Sequence, residues 1–291
     1  MHRLFLTPWL AGVVIFFAYP LAATVYFSFT DYTMLDRPHF VGLLNYVYLF
    51  TQDPHVWQAV RNTGWFLAVM VPAQVLFALG CALVLTRIKR GAGFYRTVFY
   101  LPSLAPPVAA TVAFVFLFNP ATGPVNGVLG WLGVEGPLWF SDPSWSKPAL
   151  VTLALWGSGN VMVILLAALL DVPRELHEAA SIDGASSAQA FRNVTLPSIA
   201  PVLLFSVVTG MIQALQYFTQ AVVAGSVASG SADITASAQA PGFPDGSTLT
   251  FPYWLYVQGF QRFNMGYACS LAVLLFVVSL GFTAVMLRRA R

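Results

Sequence analysis

Four polar side chains near residue 215 are spaced for recognition. Gln213, Gln216, Tyr217 and Gln220 fall at i, i+3, i+4 and i+7, which lines one face of a helix. The three carboxamides offer donors and acceptors, and the tyrosine adds a hydroxyl and an aromatic face. That set suits a neutral, hydroxyl-rich ligand. A second cluster lies upstream, where Trp156, Gly157, Ser158 and Asn160 combine a ring, a hydroxyl and an amide, with Gly157 able to admit a close contact. The competing role for such amides is to tie helices together, since interhelical hydrogen bonds in membranes are common and worth about 0.6 kcal/mol on average. Catalytic spacing is missing. There is no paired-carboxylate, HExxH or GxSxG pattern, and His2, His39, His55 and His177 are scattered. The surroundings of the two lysines, Lys89 and Lys147, do not fit a GxxxxGK[ST] phosphate loop. ATP, if used, must be bound by another chain. Neither a metal site nor a cofactor is expected, and Cys81 and Cys269 read as small packing residues.

The elements that carry these residues are apolar. Of 291 residues, 58% are hydrophobic and 9% charged, against about 25% charged in soluble domains, and the mean hydropathy is +0.72. Six runs contain no Asp, Glu, Lys or Arg: 4–29, 62–86, 97–118, 149–170, 199–223 and 266–287. Each is near the roughly 20 residues that cross a bilayer as a helix. The runs are continuous rather than alternating, which favours helices over a barrel. The first is longer than a usual signal-peptide core, although Leu21-Ala22-Ala23 resembles a weak cleavage site. The expected fold is an all-α polytopic membrane protein with six transmembrane helices, forming one domain over 1–291. Of the 14 basic residues, ten fall on the side of the N-terminus and four (Arg37, Arg61, Lys147 and Arg262) on the other. Both termini are therefore expected in the cytoplasm. The net charge of +3 reads as a topology signal and not as nucleic-acid affinity. LPSLAPP, 101–107, must kink or break the third span, either as a packing kink or as a gate.

Between the fourth and fifth spans, residues 171–198 form a polar cytoplasmic loop. Pro173 suits the start of a short helix, with Glu175 in its first turn. Leu176, Ala179, Ala180 and Ile182 share a face, and Gly184 ends the helix. Ser186 or Ser187 caps a second helix carrying Phe191 and Val194, and Leu196-Pro197 turns the chain back toward the membrane. Two short helices at an angle would make a knob for a soluble partner, or an ordinary interfacial hairpin.

Glu178-Ala179-Ala180, three residues ending in Asp183, Gly184, nine residues, then Val194-Thr195-Leu196-Pro197 resembles the EAA signature of ABC importer permeases. Val194 replaces the usual Ile. LTPWLAGVVIFFAYPLAATVYFSFTDY at 6–32, FYRTVFYLPSLAPPVAA at 94–110, NPATGPVNGVLGWLG at 119–133 and GYACSLAVLLF at 266–276 resemble the carbohydrate-uptake subfamily, of the maltose or glycerol-phosphate type. The stretch 224–248 departs from that subfamily's Gly-Gly-Pro and Thr pattern. The resemblance implies a bacterial or archaeal plasma-membrane (inner-membrane) permease for a sugar or sugar derivative. Its implied partners are a second related permease, two ATP-binding cassette subunits and an extracytoplasmic sugar-binding protein. It also implies that 173–197 couples the spans to the ATPase, and that the fourth and fifth spans touch substrate in some members. The rival classes are an ion-coupled carrier or channel, which usually places ionisable residues in its spans, and a non-transporting receptor or scaffold.

Overall fold

The computed structural model describes residues 2–230 and 241–289, so Met1, SADITASAQA at 231–240, Ala290 and Arg291 lie outside it. Among the described residues the chain is almost wholly helical, with a single isolated antiparallel bridge, Thr30 to Phe40. Four helices are long and apolar enough to cross a membrane, and six segments are if each of two bent pairs counts as one.

Helix α1, Leu6–Phe27, is not buried anywhere along its apolar length. It joins the rest of the molecule at one end only. There Tyr32 accepts a hydrogen bond from Gly266 N–H at 2.8 Å, and Asn45 donates to Ser28 O and Thr30 O. Helix α2, Leu44–Thr51, follows. The central element is α3, Pro54–Arg87. At 34 residues it is longer than the 62–86 run expected, because Asp53 caps it from beyond the apolar stretch by accepting from His55 N–H. Its buried positions recur every three or four residues: Val56, Ala59, Thr63, Phe66, Met70 with Val71, Val75, Ala78, Ala82 and Leu85. That stripe meets two separate hydrophobic cores. One includes Phe66, Leu150, Trp254 and Leu271, and the other includes Leu79, Leu85, Leu165 and Ile199.

The remaining spans are interrupted. Helix α4, Ala92–Tyr100, runs through a 3₁₀ turn at Leu101–Leu104 and then bends by 98° into α5, Pro107–Leu117. The prolines in LPSLAPP remove backbone donors and clash with the preceding turn, so the break was legible. Helix α6, Pro124–Trp131, lies in the next loop. Helices α7, Pro143–Trp156, and α8, Gly159–Leu170, meet at a 50° bend, so the 149–170 run is not one straight span. After α9, Arg174–Ile182, comes α10, Ser187–Leu215.

Two expectations fail here. Leu196-Pro197 makes no turn: a widened π turn at Phe191–Thr195, with Leu196 N–H reaching Phe191 O, makes room for the proline ring and the helix runs on. The insert is thus one short helix plus the first turns of a long one. The 199–223 run is also not continuous. It stops at Leu215 and resumes as α11, Thr219–Ala228. Helix α12, Phe251–Tyr256, and α13, Met265–Arg289, complete the fold. Residues 28–53, 119–142 and 241–264 gather at one loop-rich end, tied by contacts such as Ser146 Oγ to Ser247 Oγ at 2.8 Å and Trp254 Nε1–H to Asp53 Oδ2 at 2.7 Å. The insert at 171–186 is at the opposite end.

Candidate functional site

A cavity of about 410 Å³ lies against the first core, beside Met70 and Gln74 of α3. Three breaks converge on it. Pro102, Ser103 and Ala105 come from the α4–α5 bend, Trp156 and Gly157 from the α7–α8 bend, and Gln216 and Tyr217 from the α10–α11 break. Asn160, Gln213 and Gln220 complete the polar wall. Of the eight residues singled out from sequence, seven line one cavity, while Ser158 is buried and donates to Leu155 O instead; the reason for the convergence also differs. Gln213 ends one helix and Gln220 begins another, so no single helical face carries the four residues.

The break after Leu215 has no proline or glycine behind it. It is held by the 241–250 loop, where Thr250 Oγ1–H donates to Tyr217 O at 2.7 Å. A side chain from another part of the chain thus replaces a helical hydrogen bond. The tightest approach within the protein lies two residues beyond Gly157. A Cβ on Gly157 would meet nothing nearer than 3.7 Å, whereas one on Gly159 would lie 2.7 Å from Phe99 O and 2.9 Å from Tyr100 Cα. Gly159 is where the two bent spans touch backbone to backbone.

Two polar residues were missed. Gln74 donates from Nε2 to Ala154 O at 3.2 Å. Ser103 donates to Tyr100 O at 2.7 Å, and its hydroxyl stands 3.4 Å from Asn160 Oδ1. Gln74 is an amide inside an apolar span, and that was the available signal. The amides of Gln213 and Gln216 are exposed and that of Gln220 is half-buried, and among the described residues none of the three makes a side-chain hydrogen bond. The Tyr217 hydroxyl is buried with no partner while its ring packs on Phe66. Among the described residues, no Asp, Glu, Lys, Arg or His lines the cavity. Its walls can hydrogen-bond and stack, but they hold no fixed charge.

At the other end, the EAA residues sit on and just after α9. Glu178 and Ala179 are exposed, Ala180 is half-buried, and Asp183 ends the helix. Gly184 takes φ +76°, with Gly184 N–H to Ser181 O and Ala185 N–H to Ala180 O closing the end. Open space surrounds its absent Cβ, so backbone conformation, not crowding, calls for glycine. Ser186 and Gln189 then form a reciprocal cap. Ile182 is 87% exposed and Leu176 45% exposed. Leu196 and Pro197 lie within α10, a few turns from this tip.

Residues 74–290 match the family described as "Binding-protein-dependent transport system inner membrane component". The "Probable ABC transporter permease protein YesP" of Bacillus subtilis (strain 168) is 33% identical over 276 residues, 94% of this chain and 85% of that protein. The "Lactose transport system permease protein LacF" of Rhizobium radiobacter is 32% identical over 296 residues, 99% of this chain and 94% of that one. Among solved structures, "a bacterial ABC transporter involved in the import of the acidic polysaccharide alginate" matches with a TM-score of 0.77 at 22% identity, covering 99% of this chain and 96% of that one. The chain belongs to the family of binding-protein-dependent inner-membrane transport components, the permease subunits of ABC importers. It is a transport component, and ATP hydrolysis lies in separate subunits.

Proposed function

We propose that this permease imports a sugar or sugar derivative, delivered to its loop-rich end by an extracytoplasmic binding protein. The observation that carries this reading is the uncharged cavity, lined by five carboxamide residues (Gln74, Asn160, Gln213, Gln216 and Gln220) and by Trp156. Sugars present hydroxyls for such groups and C–H faces for an aromatic ring. Relatives named for lactose and for "Sulfoquinovosyl glycerol" transport support the substrate class.

In this reading each bent pair is one span, giving six spans in a single domain over 1–291. Both termini and the 171–198 loop face the cytoplasm, in keeping with the distribution of basic residues. The loop, through Glu178, Ala179, Ala180, Asp183 and Gly184, docks one of two ATP-binding subunits, and its exposed Leu176 and Ile182 supply apolar contact. Leu196 and Pro197 carry that load into α10. A second, related permease closes the open flank of the cavity, where Asn160, Gln213 and Gln216 are exposed. Transport is then a rigid-body alternation driven by closure of the ATPase pair.

The test is to purify the assembled transporter with its binding protein and measure ATP hydrolysis against a panel of lactose, maltose, trehalose and sulfoquinovosyl glycerol. Stimulation by at least one sugar through the binding protein is expected. A complex whose ATPase responds to no binding protein and no sugar would contradict the reading.

A further inference from the structure

Among the described residues, Asp53 is the only charged side chain that is buried, at 3% exposure. Three donors converge on its two oxygens. His55 N–H reaches Oδ1 at 2.9 Å, and Trp254 Nε1–H and Tyr267 O–H reach Oδ2 at 2.7 and 2.6 Å. Around them, the His55 ring stacks on Trp254 at 4.5 Å, and the Arg262 guanidinium lies 4.8 Å from the centre of the same indole. Tyr48 packs its edge on Tyr267 at 5.2 Å. One carboxyl group therefore joins the start of α3, helix α12 and the start of α13.

Capping a helix does not require this. Asp142 caps α7 in the same way, by accepting from Ser144 N–H at 2.7 Å, and it holds no indole or phenol. Burying a carboxyl group is costly, and the cost is recovered only where its hydrogen bonds are satisfied. Asp53 meets that condition by gripping Trp254. One helical turn before Trp254 stands Thr250, the cap residue of α12, whose hydroxyl donates to Tyr217 O at the cavity break. Phe251 N–H is meanwhile bound by Thr63 Oγ1 at 2.9 Å. Helix α12 is a short strut with Asp53 at one end and the cavity wall at the other.

We propose that Asp53 is a positioning residue for transport, which clamps α12 so that load on the loop-rich end reaches Tyr217 through Thr250. This rests on the reading that a binding protein docks at that end. Asp53 touches no solute. It holds the element that passes the docking event to the cavity.

The experiment uses the assembled transporter, with binding protein titrated against ATP hydrolysis, loaded with whichever sugar of the panel above stimulates the wild type. Asp53→Asn keeps one acceptor oxygen for the cap but turns an NH₂ group toward the other donors. Tyr267→Phe removes one donor and leaves the cap untouched. Thr250→Val cuts the far end of the strut. Each should reduce binding-protein-stimulated hydrolysis by about tenfold, the effect of losing a hydrogen bond to a charged or buried group. Basal hydrolysis and assembly should stay within about twofold, with Tyr267→Phe the mildest change to the fold. Because both ends serve one strut, Asp53→Asn with Thr250→Val should be no worse than either alone. Normal stimulation in the single variants, losses that multiply in the double variant, or basal activity and assembly that fall in step would each overturn the proposal. A wild-type complex that no binding protein stimulates overturns the functional reading itself, and the proposal with it.

Discussion

At the scale of single residues, Gly184 and Tyr217 make contrasting demands. Gly184 is needed for its φ of +76° alone, since no atom lies within 4 Å of its absent Cβ. A β-branched residue there costs about 1–2 kcal/mol of backbone strain and re-aims the tip of α9. Gly184→Val should lower ATP-driven uptake while the binding protein's own affinity for sugar is unchanged; normal uptake with normal ATPase stimulation removes the insert from coupling. Tyr217 is buried by its ring and unsatisfied at its hydroxyl. Tyr217→Phe should leave assembly and thermal stability intact, because the lost hydroxyl has no partner to strand. If that hydroxyl meets the solute, uptake slows or sugar preference shifts. Gln213→Ala provides the companion measurement, since its amide is exposed to the cavity and free of internal bonds. Unchanged kinetics in both variants means that this wall does not touch the solute. The residue types were legible in the sequence because amides are conspicuous in apolar runs. Their geometry was not, because the bond that breaks the helix at Tyr217 comes from Thr250, 33 residues away.

At the scale of elements, the bends divide into those the sequence announces and those it hides. Pro102, Pro106 and Pro107 announce the 98° bend. Ser186 with Gln189 announces the start of α10, and Gly184 the end of α9. The run from Gln213 to Gln220 contains no breaker, and the run from Ser187 to Leu215 contains Pro197 and Pro201 yet stays helical. Local propensity yields to tertiary bonds in the first case and to a widened turn in the second. The contact at Gly159 follows the same pattern, since it depends on where α4 ends. Gly159→Ala should push Phe99–Tyr100 away at a cost of about 1–3 kcal/mol, seen as a lower melting temperature of the complex. Gly157→Ala, whose Cβ would meet only ordinary contacts, should melt close to wild type. Equal destabilisation in the two variants would show that the bent pairs are not locked at Gly159.

At the scale of the whole molecule, the lining of the cavity bears on the driving force. Among the described residues no Asp, Glu, Lys, Arg or His lines it, so these walls supply none of the groups that ion-coupled carriers usually place in their spans. Proteoliposomes loaded with ATP should accumulate sugar with ion gradients collapsed by ionophores. Uptake that stops while ATP remains high points to an ion-coupled carrier instead. The six apolar stretches and the insert between the fourth and fifth were readable from hydropathy and motif spacing, but the way three breaks meet at one cavity was not. The flank on which Asn160, Gln213 and Gln216 lie exposed has a further cost. Facing lipid alone, amides with unmet hydrogen-bonding groups cost several kcal/mol each, so a copy of this chain made without its partner is a defective object in the bilayer. Its abundance should therefore be set by gene dosage of the partner: in cells expressing this chain alone, pulse-labelled protein should turn over rapidly and become long-lived when the second permease is co-expressed. An orphan chain that persists as long as the assembled one would mean that water or the chain itself covers those amides. Rapid turnover of the orphan would instead mean that membrane proteases recognise surplus subunits by the same carboxamides that make the transporter useful once it is complete.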